Sequence, residues 1–278
     1  MRIFKPSELH AFLKERGMHA KRGLSQNFLI DRNIIQKIVD IASISKNDTI
    51  LEIGPGPGAL TEALLETGAS VVAIELDADF AKELQRLQTP DHRLEVICED
   101  ILKFPLTDFL KNRPNRAKVV ANLPYHITTP ILTLLLPLYH LIESLTIMVQ
   151  KEFAERMVAE KKTPEYSSLT LFLQFYATVI KTFNISPNCF FPRPKVHSSV
   201  VHCKLHPPLL EEKIEEFFRM TRAAFGKRRK MLRASLRDLY EVEKIEQTLS
   251  TLGHLVTTRP EDLSIQEFIA LFNLLNVS

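Results

Sequence analysis

Asn122-Leu123-Pro124-Tyr125 is the most chemically pointed stretch of this 278-residue chain. The Asn122 side-chain oxygen and the Leu123 backbone carbonyl offer two hydrogen-bond acceptors side by side. Pro124 fixes the turn and, lacking an N–H, adds no competing donor. Tyr125 supplies a ring on which an extruded base can stack, a contact worth roughly 1–3 kcal/mol. This set suits an exocyclic adenine amine, whose nitrogen is a poor nucleophile because its lone pair is delocalised into the ring. Two acceptors gripping its N–H bonds pull it toward a tetrahedral geometry and free that pair for attack on an activated methyl group. In-line positioning can remove up to about 7–11 kcal/mol of barrier in favourable cases. No base is needed before transfer, because the product ammonium is acidic.

A second group of residues describes what the methyl donor would be. Glu52-x-Gly54-x-Gly56-x-Gly58 follows an apolar run. Glycines let a backbone turn sharply and come close to a ligand. Dinucleotide enzymes space theirs as G-x-G-x-x-G to grip a pyrophosphate. Here every second residue is glycine, and Pro55 and Pro57 remove N–H groups that a pyrophosphate would need. A nucleoside without phosphates fits better. Glu75, 21 residues beyond Gly54, is placed to accept from both ribose hydroxyls, and Asp100 from an adenine amino group. Glycine loop, ribose acid and adenine acid in that order fit S-adenosylmethionine. Taken singly, each acid would be a helix cap or a solvated loop residue.

The elements that must carry these residues are legible. The periodicity predicts a helix over 33–42 and strands over 49–53, 70–76, 94–98, 118–121 and 144–149, with helices over 59–66, 78–87 and 151–160 between them. Every motif sits at the C-terminal end of a strand, the edge where open parallel sheets bind ligands. The fold class is therefore α/β, a Rossmann-like methyltransferase sheet covered on both faces. Residues 171–183 read as a helix running into a strand, and the alternation over 196–205 as an edge or hairpin strand. Beyond His206-Pro207-Pro208 the helical period dominates over 213–225, 230–240, 242–252 and 265–275. The expected domains are 1–206, binding the cofactor and performing catalysis, and 207–278, a small α-helical domain.

Composition narrows the class. Hydrophobic residues make up 45% and charged residues 25%, with only 8 glycines, so disorder and low-complexity architectures are excluded. Three cysteines, Cys98, Cys189 and Cys203, lack C-x-x-C spacing, which argues against a disulfide framework or structural zinc and fits a reducing, cytoplasmic setting. The N-terminus is too charged for a secretory signal, and the apolar run 130–142 is too short to span a bilayer. No metal and no membrane are expected, and a monomer is the default. Net charge is only +3, but residues 219–237 hold eight Lys or Arg and no Asp or Glu. The first 23 residues add Arg2, Lys5, Lys14, Arg16, Lys21 and Arg22 against Glu8 and Glu15. Two basic clusters on a nearly neutral chain suggest a polyanion docked at defined places.

With these residues in view, the chain resembles the ribosomal RNA adenine dimethyltransferases, and within them the branch acting on small-subunit (16S) RNA. The likeness runs nearly end to end, through 24–31 (LSQNFLID), 51–58 (LEIGPGPG), 75–77 (ELD), 99–100 (ED), 122–125 (NLPY), 190–196 (FFPRPKV) and 224–232 (AFGKRRKML). It implies that Asn27, Leu29, Gly54, Glu75, Asp100 and Asn122 bind S-adenosylmethionine. Asn122, Leu123 and Tyr125 would form the transfer site, and Phe190 a second stacking surface for the target base. The implied reaction converts two adjacent adenosines in the 3′-terminal hairpin loop to N6,N6-dimethyladenosine, within the small ribosomal subunit or its precursor. Arg222, Lys227, Arg228, Arg229, Lys230 and Arg233 would grip RNA backbone, giving salt sensitivity rather than base choice. Competing readings are the large-subunit (23S) dimethyltransferase of antibiotic resistance, an assembly factor acting by binding alone, and a nicotinamide oxidoreductase. The proline-filled loop and NLPY disfavour the last.

Overall fold

A computed structural model describes residues 6–20, 26–227 and 230–276. Leu24 and Ser25 of the first motif, the cations Arg2, Lys5, Lys21 and Arg22, and Arg228 and Arg229 lie outside the described residues. In chain order the strands are β1 (Phe28–Leu29), β2 (Thr49–Ile53), β3 (Ser70–Glu75), β4 (Leu94–Cys98), β5 (Ala117–Asn122), β6 (Ile142–Gln150), β7 (Ala177–Ile185), β8 (Phe190–Phe191) and β9 (Ser198–Leu205). The helices are α1 (Pro6–Glu15), α2 (Arg32–Ala42), α3 (Ala59–Glu66), α4 (Ala78–Leu84), α5 (Leu106–Lys111), α6 (Thr128–Leu135), α7 (Lys151–Met157), α8 (Ser168–Tyr176), α9 (Ile214–Gly226), α10 (Leu232–Leu236), α11 (Val242–Thr251) and α12 (Ile265–Leu275).

The chain forms two compact units, residues 1–154 with 178–206, and residues 155–177 with 207–278. The first unit is built on a seven-stranded sheet of order β4-β3-β2-β5-β6-β9-β7. Strands β4, β3, β2, β5 and β6 run parallel. All five residues of β2 are buried, as expected of a strand covered on both faces. Ile35, Ile38, Val39 and Ala42 of α2 and Leu60, Leu64 and Leu65 of α3 share one core cluster with Ile50, Val71, Val120 and Met148 of the sheet. Asp31 starts α2, its side chain accepting from the Asn33 N–H at 2.9 Å and the Ile34 N–H at 3.2 Å.

Three features differ from the sequence expectation. Strand β9 is not an edge strand: it lies inside the sheet, antiparallel to β6, and the sheet is therefore mixed. Its serines are buried because they are bonded: Ser198 Oγ to Tyr125 Oη at 2.6 Å, and Ser199 Oγ, which donates to Asn184 Oδ1 at 2.7 Å. A separate two-residue ladder, Phe28 opposite Phe191 and Leu29 opposite Phe190, joins segments 160 residues apart. Finally, residues 155–177 leave the expected 1–206 domain and join the helical unit. The reason is aromatic: Phe175 of α8 stacks on Phe217 of α9 at 5.3 Å, and Phe172 and Tyr176 also meet Phe218. A helix whose apolar face is filled by α9 belongs with α9.

Asp31→Ala should remove the α2 cap and cost about 1 kcal/mol. It should lower the midpoint of urea unfolding with an unchanged slope.

Candidate active site

The site is assembled at the C-terminal ends of β2, β3, β4 and β5. The glycine loop follows β2, and the Gly54 N–H reaches the Ile74 carbonyl of β3 at 2.9 Å. Gly56 and Gly58 have φ of +55° and +89°. A Cβ on Gly56 would lie 2.8 Å from the Phe28 ring, and one on Gly58 2.7 Å from Leu84, so neither tolerates a side chain. Arg86 closes the loop's outer side, Nη2 donating to the Pro57 carbonyl at 2.8 Å.

Glu75, at the end of β3, is buried. Its Oε2 accepts from the Gly56 N–H at 2.8 Å and its Oε1 from the Asp77 N–H at 2.9 Å. Burial pushes its pKa up, and those two backbone bonds only partly oppose the rise. Asp100 follows β4 and accepts from the Leu102 N–H at 3.0 Å through Oδ1, which leaves Oδ2 for a ligand.

Asn122 ends β5, and its Nδ2 donates to the Asn27 carbonyl at 2.9 Å. That bond identifies the amide's nitrogen end and leaves Oδ1 as the acceptor. The Leu123 N–H is taken by the Met148 carbonyl of β6 at 3.2 Å, which ties the turn to the sheet. Tyr125 Oη and Ser198 Oγ are hydrogen-bonded at 2.6 Å. Burial pushes the phenol pKa up, so Tyr125 is a neutral ring held by its hydroxyl.

Asn27, Gly54, Glu75, Asp100, Asn122, Leu123 and Tyr125 all line one cavity of about 100 Å³. Sequence reasoning missed several of its walls: Phe28, Leu76, Ile101 and His126. Leu76 could have been suspected. It is 52% exposed, and its place directly after Glu75 puts it at the same strand end as the acid.

Two expected residues are not in this cavity. Leu29 and Phe190 are buried in the α2–α3 core cluster, at 5% and 3% exposure. Successive strand residues face opposite sides. The Leu29–Phe190 pair therefore turns into the core, and the Phe28–Phe191 pair turns toward α1. Phe28 lines the small cavity, and Phe191 lines a wide adjoining cleft. The Phe190 side chain thus packs in the core rather than facing either cavity, while Leu29 lines the recess it shares with Glu52, Gly54 and Asn122.

Glu52 is the unusual group. It is fully buried beside a recess of about 30 Å³ shared with Gly54 and Asn122. Among the described residues, neither its two oxygens nor the Thr61 hydroxyl has a hydrogen-bond partner. Desolvation, reinforced by the Glu75 charge, raises its pKa to about 8. Glu52 is therefore a protonated acid at neutral pH.

In the helical unit, Arg222 and Lys230 are exposed. Lys227 pairs with Asp238 at 2.9 Å and Arg233 with Glu246 at 2.6 Å. Among the described residues no cluster of three or more His, Cys, Asp or Glu could hold a metal, and no helix is long and apolar enough to cross a membrane.

A protein-family model described as "Ribosomal RNA adenine dimethylase" matches residues 17–277. "Ribosomal RNA small subunit methyltransferase A" of Protochlamydia amoebophila is 50% identical over 276 residues, covering 98% of this chain and 97% of the relative. Its namesake in Chlamydia trachomatis is 45% identical over 272 residues, covering 96% of each. Among solved structures, a dimethyladenosine transferase from Plasmodium falciparum is similar with a TM-score of 0.74 and 27% identity, over 88% of this chain and 95% of that one. The 23S rRNA methyltransferase ErmE is similar with a TM-score of 0.70 and 27% identity, over 90% of this chain and 100% of that one.

The raised pKa of Glu52 predicts a stability signature. Folded Glu52 keeps its proton up to about pH 8, while the unfolded side chain loses it near 4.5. Its stability contribution is therefore complete below pH 4.5 and drains away as pH rises to 8, by at most roughly tenfold in the folding constant per pH unit. Glu52→Gln should flatten that part of the profile. Thermal unfolding of both proteins from pH 5 to 8 checks this, and parallel profiles would show that Glu52 is ionised.

Proposed function

This chain belongs to the ribosomal RNA adenine dimethylase family, and from that premise we propose that it methylates N6 of two adjacent adenosines in the 3′-terminal hairpin loop of small-subunit (16S) ribosomal RNA. The product is N6,N6-dimethyladenosine, made in the cytoplasm on the small subunit or its precursor during subunit biogenesis. The observation that carries the reading is that Asn27, Asn122 and Tyr125 converge at one cavity, with Asn27 and Tyr125 also lining the wide cleft beside it. Donor and acceptor can then meet at the shared wall. Identities of 50% and 45% to relatives named for the small subunit, against 27% to the 23S enzyme, favour the small-subunit target.

The cavity fits S-adenosylmethionine, which supplies an electrophilic methyl group on a sulfonium. Glu75 keeps lone pairs beyond its two backbone bonds for the ribose hydroxyls, and Asp100 Oδ2 takes the adenine amino group. Leu76 and Ile101 offer the apolar faces that an adenine ring needs. Gly54, Asn27 and Asn122 would hold the methionine end.

On the RNA side, Asn122 Oδ1 and the Leu123 carbonyl accept from the two N6–H bonds. Tyr125, fixed through Ser198, holds the base face and excludes water. Because the product ammonium is acidic, its proton leaves after the bond has formed. Arg222, Lys227, Lys230 and Arg233 of the helical unit bind RNA phosphates, with Arg228 and Arg229 between them in sequence.

The test uses small subunits from a strain lacking the modification, incubated with labelled S-adenosylmethionine and followed by nucleoside mass spectrometry. Wild type should yield dimethyladenosine in the 3′-terminal loop. Asn122→Ala should lower kcat at least about 100-fold, the scale for removing one transition-state hydrogen bond. Glu75→Ala should instead weaken cofactor binding by at least about tenfold. Label appearing only in large-subunit RNA would replace this target with the 23S one.

A further inference from the structure

Beside the cavity lies a far larger cleft of about 1270 Å³, which the transfer chemistry does not by itself require. The two share Gln26, Asn27, Tyr125 and His126, so the cleft opens directly onto the reacting position. Among the described residues its basic lining residues are His10, Lys14, His19, His126 and Lys195, and no Asp or Glu lines it. Lys14 and Lys195 are exposed, and among the described residues neither makes an ion pair. The cleft is also aromatic. Phe191 lines it half-buried and meets the His10 ring edge-to-face at 6.4 Å.

A cationic, acid-free trough with a ring platform is what a single-stranded nucleic acid needs: phosphates on the cations, a base on the ring. We propose that this cleft holds the RNA nucleotides flanking the reacting adenosine. Phe191 and His10 stack the neighbouring base, and Lys14 and Lys195 take its phosphates. The inference rests on the reading that the substrate is RNA. It assigns the N-terminal helix α1 a place in substrate binding, and it separates the two rings. Tyr125 faces the base that reacts, and Phe191 faces the one that waits.

Four proteins test this: wild type, Tyr125→Ala, Phe191→Ala and the double variant Lys14→Ala/Lys195→Ala. Each is assayed for methylation of unmodified small subunits, for S-adenosylmethionine affinity by calorimetry, and for binding of a short single-stranded adenosine-rich RNA by fluorescence anisotropy. Phe191→Ala should weaken RNA binding and raise KM for subunits by about 5- to 150-fold, the equivalent of one lost stacking contact. Its kcat and cofactor affinity should stay within about twofold, whereas Tyr125→Ala should lose kcat. The lysine variant changes only exposed side chains, so it serves if Phe191→Ala disturbs folding. It should lower the slope of log affinity against log salt by about 1.4, two phosphate contacts on a single strand. Unaltered RNA affinity and salt slope in both variants would overturn the proposal. So would a loss of kcat at constant KM in Phe191→Ala, which would put that ring on the reacting base. If wild type methylates no subunit, the proposed target falls, but the RNA-binding arm still decides the cleft.

Discussion

One carboxylate anchors the site. Burying a charged group is costly unless hydrogen bonds replace its water, and Glu75 finds two of its replacements in the backbone N–H groups of Gly56 and Asp77. Through the first it pins the glycine loop to the end of β3. The pinned loop presents Gly56 flat against Phe28, too close for any side chain. Phe28 then seats the segment before α2, which sets the Asn27 carbonyl 2.9 Å from the Asn122 amide. A chain of contacts thus runs from the expected ribose acid to Asn122, the proposed acceptor for the reacting amine. Moving the loop would disturb cofactor binding and catalysis together.

The same economy shapes the acceptor pair. An amide oxygen is useful to an N–H donor only if the amide cannot flip, and the Asn27 carbonyl sets the nitrogen end of Asn122. A tyrosine is useful as a flat wall only if its ring is held, and Ser198 of β9 holds Tyr125. Neither support belongs to the NLPY motif. Asn27 precedes it by 95 residues and Ser198 follows Tyr125 by 73. Catalytic precision here comes from neighbours that the motif cannot name.

That division explains what was legible in the sequence. Strands β2, β3 and β5 and the residues at their ends could be read because burial on both faces leaves largely apolar runs ending in a glycine, an acid or an asparagine. The ladder of Phe28–Leu29 with Phe190–Phe191 could not, since two residues carry no period and their register alone decides which ring turns outward. Hence nothing in the sequence shows that Phe191, rather than Phe190, turns toward the wide cleft. Strand β9 alternates like an exposed edge, yet its serines are buried with partners in β7 and the Tyr125 turn. Residues 155–177 look continuous with the catalytic chain until the aromatic packing of α8 against α9 assigns them elsewhere. Glu52 was visible as a letter in the loop motif, but only burial shows it to be a neutral acid.

The basic run of the helical unit shows why a one-dimensional charge count misleads. Residues 219–237 contain no acid, but Asp238 and Glu246 fold back onto Lys227 and Arg233. Partners on α11 or just past α10 neutralise a cluster that looked bare. Partly exposed pairs of this kind are worth only about 0–1 kcal/mol, so a phosphate can displace either acid at little cost. The pairs hold the long side chains in place without committing them, while Arg222 and Lys230 stay exposed. The cleft beside Tyr125 works differently, since among the described residues it has no acid and Lys14 and Lys195 have no ion pair to surrender. RNA bound on the helical unit would exchange ion pairs, and RNA bound in the cleft would gain new ones. On this account, the stronger salt dependence per cation belongs to the cleft, which shares Tyr125 with the small cavity.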